Sequence, residues 1–434
     1  MTTTVAVFTR DLRVHDNPML AAAVLGADEV VPLFVRDARI TGSGFAAGRK
    51  KFLNESLTDL DTSLRDLGGR LVVREGDAVK EIYEVAREVR AARVHIAGDV
   101  SAFATAREKA LRDALPCEFV VHDDVHTVVP PGALTPTGSD HFSVFSPYHR
   151  RWADARWRAE APKPSRITLP KIRVGAVLSA KGNGFPGGET AARTRMTSWL
   201  RSSAESYASD HDALAADRTS RLSPYLHLGC VSALEVARRG EKSAEFVRQL
   251  AWRDFHHQVL AARPAAATSD YRPRGDRWLD DEDALSAWQA GETGIPIVDA
   301  GMRQLLAEGW MHNRARLIVG SFLTKTLYVD WRSGAAHFFR HLLDGDIANN
   351  CMNWQWVAGT GTDTRPNRVL NPLRQAERFD PEGEYVRRYV PELSAVDGKR
   401  VHRPWDLRAG ERAGYPMPIV DLAEGRARFL AARG

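Results

Sequence analysis

Short β-branched runs alternate with helical stretches through the first part of the chain, and this alternation restricts the possible folds more than any other feature. The runs lie at residues 5–8, 30–35, 71–74, 94–97 and 119–122. Between them, residues 49–67 and 77–90 place apolar side chains at intervals of three and four, as amphipathic helices do. Five strands that alternate with helices predict a doubly wound, five-stranded parallel sheet, which we assign to an α/β domain at residues 1–128.

The loop after the first predicted strand lacks the common nucleotide-binding motifs. It holds no Gly-x-Gly-x-x-Gly, and no glycine-rich loop in this domain ends in Lys-Ser or Lys-Thr. We therefore expect neither an NAD site nor an ATP site of the usual kind here.

Proline and glycine punctuate residues 129–188, which we interpret as a long connector. From residue 189 to residue 434 the pattern is helical, with no convincing strand, and it predicts an all-α domain. The expected layout of the 434 residues is therefore an α/β domain, a connector and a helical domain.

Charge is distributed unevenly between these parts. Residues 1–130 hold 17 Lys and Arg against 20 Asp and Glu, and the rest of the chain holds 43 against 35. A basic excess confined to one part is compatible with a polyanionic partner such as DNA, although many Arg-rich domains bind no nucleic acid. Charge alone leaves DNA binding open.

Cysteine usage and hydropathy bear on the location of the protein. Cys117, Cys230 and Cys351 lie far apart, so we expect neither a disulfide framework nor a zinc knuckle. The first residues lack the basic segment of a signal peptide, and no apolar run approaches the ~20 residues that cross a bilayer. We expect a cytoplasmic monomer without a membrane partner.

The helix predicted at residues 243–262 carries an unusual face. Gln249, Trp252, Arg253 and His256 fall at i, i+3, i+4 and i+7, and therefore on one side. An aromatic ring beside cations suits stacking on bases while phosphates are held. A half-buried tryptophan with long polar neighbours explains the pattern equally well.

Two further segments, residues 310–316 (WMHNRAR) and 344–356 (DGDIANNCMNWQW), alternate polar and aromatic residues. Buried Asp and Asn need partners, so these segments cannot form an ordinary core. Asp344 and Asp346 could pair with Arg316 and hydrogen-bond a polar heterocycle. A surface loop or a metal site is the alternative, although the spacing gives a metal little support and we predict none.

Residues 219–223 (TSRLS) precede Pro224 and form a fourth segment. Ser223 followed by proline predicts an N-cap and the first residue of a helix. Hydroxyls and free amides just before a helix suit a pyrophosphate, but the segment alone would be only a capping signal.

Together these segments resemble the DNA photolyase/cryptochrome family, and within it the class I photolyases of cyclobutane pyrimidine dimers. The likeness spans the chain and begins at residues 8–17 (FTRDLRVHDN). It is strongest at residues 219–223, 252–255 (WRDF), 293–300 (TGIPIVDA), 309–314 (GWMHNR) and 344–356. This resemblance, and not the periodicity, carries the functional prediction.

The resemblance implies blue-light-driven repair of DNA by an electron from reduced FAD, after the dimer has been flipped out of the duplex as photolyases are known to do. The cofactor-binding residues of the family correspond to Tyr207, Thr219, Ser220, Arg221, Leu222, Ser223, Arg316, Asp344, Gly345, Asp346 and Asn350. Among these, Asn350 matches the side chain that faces N5 of the flavin. The tryptophans that carry electrons between the surface and the flavin correspond to Trp354, Trp331 and Trp278.

The resemblance also implies contacts with damaged DNA. Trp252 and Trp356 match the two indoles that flank the flipped dimer, and Asn313 and Arg314 match contacts with the lesion strand. The full set of expected DNA contacts is Gln249, Trp252, Arg253, His256, Asn313, Arg314, Trp356 and Gln375.

The chain departs from the family pattern at four positions. Gln249 stands where dimer photolyases usually carry Glu, and where (6-4) photolyases and animal-type cryptochromes carry Gln. Against this, Asn313 and Arg314 are the dimer-type pair, where (6-4) enzymes have a His pair. The other departures are Leu317 for a common Met, His211 for a common Arg, and a loop at residues 363–368 that is one residue short. A (6-4) photolyase and a cryptochrome-like photosensor without repair activity are the alternatives.

For a light-harvesting antenna, the resemblance implies a site in the α/β domain lined by Phe34, Arg49, Asp99 and Phe103. Members that bind 8-hydroxy-deazaflavin use these positions, and folate-binding relatives use overlapping ones. We predict 8-hydroxy-deazaflavin, with the reduced folate 5,10-methenyltetrahydrofolate as the alternative. Arg49 or Asp99 could equally be a solvated residue at a helix end.

Overall fold

The computed structural model describes residues 1–42, 44, 46–178 and 184–434. Contacts divide the chain into two compact units. The first unit comprises Met1–Glu205 and Ser220–Pro264, and the second comprises Ser206–Thr219 and Ala265–Gly434. These units follow contacts, whereas the predicted domains follow sequence pattern, so the boundaries at residues 128 and 188 stay predictions.

A five-stranded sheet lies in the first unit, with the strand order β3-β2-β1-β4-β5. The strands are β1 (Thr3–Phe8), β2 (Glu29–Arg36), β3 (Val72–Glu75), β4 (Arg93–Ala97) and β5 (Glu118–His122). All neighbouring strands run parallel, which confirms the predicted parallel sheet. Every residue of β1 is buried, as expected for the central strand of a sheet that is covered on both faces.

Helices connect these strands and continue after them. In chain order they are α1 (Pro18–Val24), α2 (Ala38–Thr41), α3 (Ala47–Asp66), α4 (Ala78–Glu88), α5 (Ala102–Ala114), α6 (Phe145–Ala153) and α7 (Glu189–Ser202). The side chains of Asp77 and Ser101 cap α4 and α5 by accepting from Lys80 N at 3.0 Å and Ala104 N at 3.3 Å. These caps satisfy first-turn amides and explain where the two helices begin.

After α8 (Tyr207–Asp210), which belongs to the second unit, the first unit resumes with α9 (Ser223–Leu228), α10 (Ala233–Arg239) and α11 (Ala244–Ala262). The helices predicted at residues 49–67, 77–90 and 243–262 correspond to α3, α4 and α11, and their ends agree within two residues. The segment predicted as a connector contains α6.

The rest of the second unit is helical, as predicted. Its longer helices are α12 (Glu282–Ala290), α13 (Pro296–Glu308), α14 (Asn313–Ser321), a π-helical turn (Phe322–Leu327), α15 (Trp331–His341), α16 (Ile347–Ala358), α17 (Pro372–Phe379), α18 (Glu384–Tyr389) and α19 (Leu422–Arg433). Short 3₁₀ turns occupy Pro264–Ala267, Pro391–Leu393, Gly398–His402 and Pro404–Asp406. None of the helices formed by the described residues has both the length and the apolarity that a bilayer crossing requires.

Candidate active site

An ion pair in the second unit joins α14 to the turn before α16. Arg316 Nη1 and Nη2 donate to the two carboxylate oxygens of Asp344 at 3.1 and 2.8 Å, and Arg316 Nε donates to the carbonyl of Met311 at 2.8 Å. The Asp344 side chain is only 4% exposed, so the pair is largely shielded from water. The pairing expected from the sequence is present, while its role in binding a cofactor stays a prediction.

Asp346, two residues further on, is buried and caps α16. Its Oδ1 accepts hydrogen bonds of 2.8 Å from both the backbone N and the side-chain Nδ2 of Asn349. The sequence had suggested Arg316 as a partner for both acids, but the structure gives Asp346 a partner on its own helix.

Asn350 lies one turn into α16 and is half-buried. Its Nδ2 donates to the carbonyl of Ala335 on α15 at 2.9 Å. An Asn side chain has one amide nitrogen and one oxygen, so this bond leaves Oδ1 to accept a hydrogen bond from elsewhere.

The three predicted electron-carrying tryptophans share one hydrophobic core in the second unit. Trp331 and Trp354 are 1% and 4% exposed, and the half-buried Trp278 packs against the same core. Trp331 begins α15, and its Nε1 donates to Asp270 Oδ1 at 2.8 Å. A Cβ on Gly334, one turn later, would lie 2.3 Å from Cη2 of Trp354. Glycine therefore allows Trp354 to lie against α15 within one turn of Trp331.

Trp278 is joined to the start of α15 through its neighbour in the chain. Leu279 N donates to the carbonyl of Tyr328 at 2.9 Å, and Leu279 forms an isolated β-bridge with Val329, two residues before Trp331. The Trp278 ring lies 5.1 Å from that of Tyr328. The arrangement is compatible with a path from the buried Trp354 through Trp331 to the half-exposed Trp278.

Arg314, a predicted DNA contact, already has an acidic partner in the second unit. Its Nε and Nη2 donate to Asp212 Oδ1 and Oδ2 at 3.1 and 2.6 Å, and its guanidinium lies 4.3 Å from the ring centroid of Phe379. The sequence did not indicate Asp212, because 102 residues separate the two. A DNA phosphate would have to compete with this carboxylate.

The other DNA residues predicted in the second unit differ in exposure. Asn313 is exposed at the start of α14, and Trp356 is half-buried on α16. Gln375 on α17 has a buried Oε1 without a hydrogen-bond partner among the described residues. The structure gives no contact that assigns these three to DNA.

In the first unit, the face predicted on α11 is only partly exposed. Gln249 is exposed and Trp252 is half-buried, whereas Arg253 and His256 are 8% and 2% exposed. Arg253 Nη1 donates to the carbonyl of His126 at 2.5 Å, a bond that stabilises the first unit. The common exposed face that the spacing suggested is therefore corrected to Gln249 and Trp252.

Phe145, which the sequence did not indicate, stacks on Trp252. The two rings are 3.6 Å apart between centroids with an interplanar angle of 7°, and Phe255 meets Trp252 edge-on at 5.6 Å. Aromatic residues at 145, 148 and 152 repeat at helical intervals inside the segment predicted as a connector, and that pattern could have revealed α6.

Residues 220–223 form a tight turn in the first unit. Arg221 has a φ of +50°, a conformation that is uncommon for a residue other than glycine. Ser220 Oγ accepts from Leu222 N at 3.3 Å, and the Ser220 carbonyl accepts from Arg195 Nε at 2.7 Å. The helix begins at Ser223 and its N-cap position is Leu222, so the predicted Ser223 cap is displaced by one residue.

Two further cofactor candidates belong to the second unit. Thr219 Oγ1 is buried and has no hydrogen-bond partner among the described residues. Tyr207 begins α8 and is buried, with its ring 5.2 Å from that of His211. A buried hydroxyl without a protein partner fits a site for a polar ligand.

The residues predicted for an antenna lie in the first unit. Phe34 is buried near the end of β2, and Phe103 lies 5.2 Å below the Arg39 guanidinium. Asp99 accepts from Arg10 Nε at 2.8 Å and from Ser101 N at 3.1 Å, and its side chain is 11% exposed. Asp99 is therefore an ion-pair partner and not a solvated helix end. Arg49 is half-buried in the first turn of α3.

Comparisons with known proteins cover the whole chain. Residues 4–166 match the family model for DNA photolyase, and residues 246–433 match that for the FAD binding domain of DNA photolyase. A deoxyribodipyrimidine photo-lyase from Streptomyces griseus is 55% identical over 453 residues, which cover 100% of both chains. The chain belongs to the DNA photolyase/cryptochrome family.

Solved structures of both kinds of family member share this fold. A class III photolyase from Agrobacterium tumefaciens matches with 33% identity and a TM-score of 0.91, covering 99% of this chain and 96% of the other. An archaeal photolyase from Sulfolobus tokodaii, whose structure holds two FAD molecules, matches with 30% identity and a TM-score of 0.90, covering 99% of both. A cryptochrome from Synechocystis matches with 28% identity and a TM-score of 0.92, covering 99% of both.

The match to the photolyase FAD-binding domain includes the cluster of polar residues in the second unit. Arg316, Asp344 and Asn350 lie within residues 246–433, as do the three core tryptophans. This photolyase-family chain therefore has an FAD-binding domain at residues 246–433. Its α/β portion, which comes first in the chain, matches the other family model.

Proposed function

We propose that this photolyase-family protein repairs cyclobutane pyrimidine dimers in DNA with the energy of blue light. The observation that carries the proposal is the 55% identity, over the full length of both chains, to a deoxyribodipyrimidine photo-lyase. The two family matches support it, because they cover the α/β and helical portions together. FAD, when reduced and excited, supplies the electron that opens the cyclobutane ring.

We assign Asn350 to the reactive edge of the flavin. The bond from its Nδ2 to the Ala335 carbonyl leaves Oδ1 to accept a hydrogen bond from the flavin, and a neutral amide adds no charge there. The Arg316–Asp344 pair supports the same site, because its two charges cancel and its bidentate geometry holds the guanidinium in place.

We assign residues 219–223 to the pyrophosphate of FAD, and Tyr207 to a further contact with the cofactor. The unpartnered Thr219 hydroxyl supports this assignment, since a buried polar group needs a hydrogen-bond partner. Arg221 lies in the left-handed region just before α9, and turns of this kind can direct backbone amides toward an anion.

We assign the three core tryptophans to the path that reduces the flavin between rounds of repair. Their shared core and the greater exposure of Trp278 at the end of the path support this role. Packing alone would explain any one of these residues. In addition, Trp354 lies against Gly334 on α15, and Trp278 lies against Tyr328, three residues before Trp331.

We assign Trp252 and Trp356 to stacking on the flipped dimer, and Asn313 and Arg314 to the lesion strand. The partial exposure of Trp252 supports the first assignment, because bases stack on aromatic rings. The dimer-type pair Asn313 and Arg314 supports cyclobutane dimers over (6-4) photoproducts as the substrate. We propose class I on the resemblance of the ordered motifs.

For the antenna, we propose 8-hydroxy-deazaflavin at Phe34, Arg49, Asp99 and Phe103, with a reduced folate as the alternative. The second FAD in the archaeal photolyase adds a third chromophore for comparison. The absorption spectrum of the purified protein distinguishes the three chromophores.

A photosensor without repair activity is the main competing function, and the match to a cryptochrome over 99% of both chains favours it. A (6-4) photolyase is the other, and Gln249 favours it. Both alternatives retain the flavin. The photosensor would repair no lesion, and the (6-4) photolyase would repair the (6-4) photoproduct in place of the cyclobutane dimer.

The deciding experiment compares repair of two lesions. Reduced protein is incubated with oligonucleotides that carry either a cyclobutane dimer or a (6-4) photoproduct, in blue light and in darkness. We expect light-dependent repair of the cyclobutane dimer alone. Repair of the (6-4) lesion would reassign the substrate, and repair of neither lesion would favour the photosensor.

A further inference from the structure

The second unit buries a lysine outside the residues proposed for FAD, DNA and electron transfer. Lys325 lies in the π-helical turn Phe322–Leu327 and is only 2% exposed. The ring of Phe429 on α19 lies 5.5 Å from its Nζ. Lysine is rarely buried to this extent unless its ammonium group has partners, because removing a charge from water is unfavourable.

Lys325 binds a surface loop through two backbone carbonyl groups. Its Nζ donates to the carbonyl of Pro366 at 2.8 Å and to that of Arg368 at 2.7 Å. Arg368 N donates to the carbonyl of Arg365 at 3.0 Å, so that residues 365–368 form a turn. We call these four residues the 365–368 turn. Two of its four carbonyls therefore accept hydrogen bonds from one buried ammonium group.

Charges of both signs surround this ammonium group. Burial is the largest influence and lowers the pKa of Lys325 to about 7. Arg433 on α19 and Arg368 in the loop lower this pKa further, while Asp363 in the loop and Asp276 before α12 raise it. Lys325 therefore changes between its charged and neutral forms near pH 7.

The 365–368 turn lies between two helices that carry proposed DNA contacts. α16 ends two residues after Trp356, and α17 begins three residues before Gln375. The turn also packs against the end of α16, because a Cβ on Gly359 would lie 2.3 Å from the carbonyl oxygen of Pro366. Lys325 thus fixes a segment that lies beside the end of the helix that carries Trp356.

Two exposed cations belong to this turn. The side chains of Arg365 and Arg368 are exposed, and neither makes an ion pair with a described residue. Arg314, in the same unit, is by contrast held by the Asp212 carboxylate. Exposed guanidinium groups near an aromatic side chain suit the phosphates of a strand whose bases stack on the ring. The charge of the turn is available to a polyanion.

We propose that Lys325 is a positioning residue for damaged DNA, which holds the 365–368 turn so that Arg365 and Arg368 meet backbone phosphates beside the lesion. This inference rests on the proposed function, since it requires DNA to be bound near Trp356. Because Lys325 is buried, it acts through the turn and does not touch the DNA itself. A turn that is held in advance loses less conformational entropy when it binds.

The test uses full-length, FAD-loaded protein in darkness, with the fluorescence anisotropy of an oligonucleotide that carries one cyclobutane dimer. Lys325→Met keeps the length of the side chain and removes its donors. We expect about fivefold weaker binding and a slope of log affinity against log salt that is lower by about one to two, as loss of one or two phosphate contacts predicts. The FAD absorption spectrum and the rate of light-driven repair of DNA that is already bound should not change.

Arg303→Met is the matched control, because it removes another partly buried cation of the same unit. Arg303 Nε donates to the Gly291 carbonyl at 2.9 Å, and its Nη1 pairs with Glu392 at 2.7 Å. The control should bind DNA with the salt slope of the wild type. Equal changes in Lys325→Met and Arg303→Met would reduce Lys325 to a general stabilising residue and overturn the proposal, as would unchanged binding in Lys325→Met.

A double-mutant cycle tests whether Lys325 acts through the turn. Once Arg365→Gln and Arg368→Gln have removed both cations, the addition of Lys325→Met should weaken binding by less than about twofold, because the residues it positions are already absent. Fully additive losses would mean that Lys325 affects DNA binding by another route, and would also overturn the proposal.

The pH dependence gives a test that needs no substitution at Lys325, should Lys325→Met fail to fold. As the pH rises from 6 to 8, Lys325 loses its charge, and the affinity of the wild type for DNA should fall by about twofold, because a neutral amine donates weaker hydrogen bonds. The fall should be smaller in the variant that carries Arg365→Gln and Arg368→Gln.

The same pH dependence in both proteins would overturn the role of Lys325. This outcome is distinguishable from failure of the proposed function, in which the wild type would not repair dimer-containing DNA in blue light at any pH.

Discussion

The rings of Phe145 and Trp252 lie parallel, with centroids 3.6 Å apart and an interplanar angle of 7°. Phe145 itself is 5% exposed, whereas Trp252 is half-buried. The stack therefore covers one face of the indole and holds its plane. A stacking residue that is held in advance loses less conformational entropy when it binds.

Phe145→Leu should weaken binding of dimer-containing DNA by about 1 kcal/mol, roughly fivefold, because it removes an aromatic pair that orients Trp252. Fluorescence anisotropy with a labelled oligonucleotide measures the change. Phe145→Tyr, which keeps the stack, is the control and should bind like the wild type. Equal affinities in all three proteins would show that Trp252 does not depend on Phe145.

Trp278→Phe should slow photoreduction of oxidised FAD, because it removes the half-exposed end of the tryptophan path. Repair by protein that has been reduced chemically beforehand should be unchanged, since the path is then not needed. Absorption spectra under blue light follow the reduction. Trp405→Phe, a partly buried tryptophan of the same core outside the path, is the control. The assignment fails if Trp278→Phe and the wild type are photoreduced at the same rate.

Arg314→Ala should weaken binding of damaged DNA and lower the slope of log affinity against log salt by about one, because it removes one phosphate contact. The bond to Asp212 adds a second expectation. Asp212→Asn should strengthen binding, since it removes the carboxylate that competes with phosphate for Arg314. Arg408→Ala, at an exposed arginine outside the expected DNA contacts, is the control. An unchanged salt slope in Arg314→Ala would mean that this side chain touches no phosphate.

The His95–His122 pair on β4 and β5 should make stability fall in mild acid. His95 Nδ1 lies 3.0 Å from His122 Nε2, and burial, together with the charges of His122 and Arg93, lowers the pKa of His95 to about 4. Burial also lowers the pKa of His122. Because the unfolded chain binds protons at its ordinary pKa of about 6.5, stability is full above that pH and falls as the pH drops toward 4.

Urea denaturation at several pH values measures this loss. His95→Gln should be less stable near neutral pH, because it loses the packed imidazole pair. It should also lose less of its remaining stability between pH 6.5 and pH 4 than the wild type does. The same pH dependence in both proteins would assign the acid sensitivity to other groups.

Local patterns predicted much of the fold correctly. The five strands, the parallel sheet and α3, α4 and α11 could be located because side-chain periodicity is set by the backbone geometry of each element. The ordered motifs predicted the family for a related reason, since each is a short run of neighbouring residues. The resemblance of these runs to the family motifs predicted roles for Asn350 and the core tryptophans, and those roles stay predictions.

Only the tertiary structure decided which of these residues meet and which remain exposed. Arg253 shared a predicted face with Trp252, yet it donates to the His126 carbonyl 127 positions away and is buried. The contacts of Phe145 with Trp252 and of Asp212 with Arg314 are likewise relationships between distant parts of the chain. Periodicity shows only that a side chain lies on one face of its own element. The partner that covers that face is decided by how the elements pack, and no local pattern contains that information.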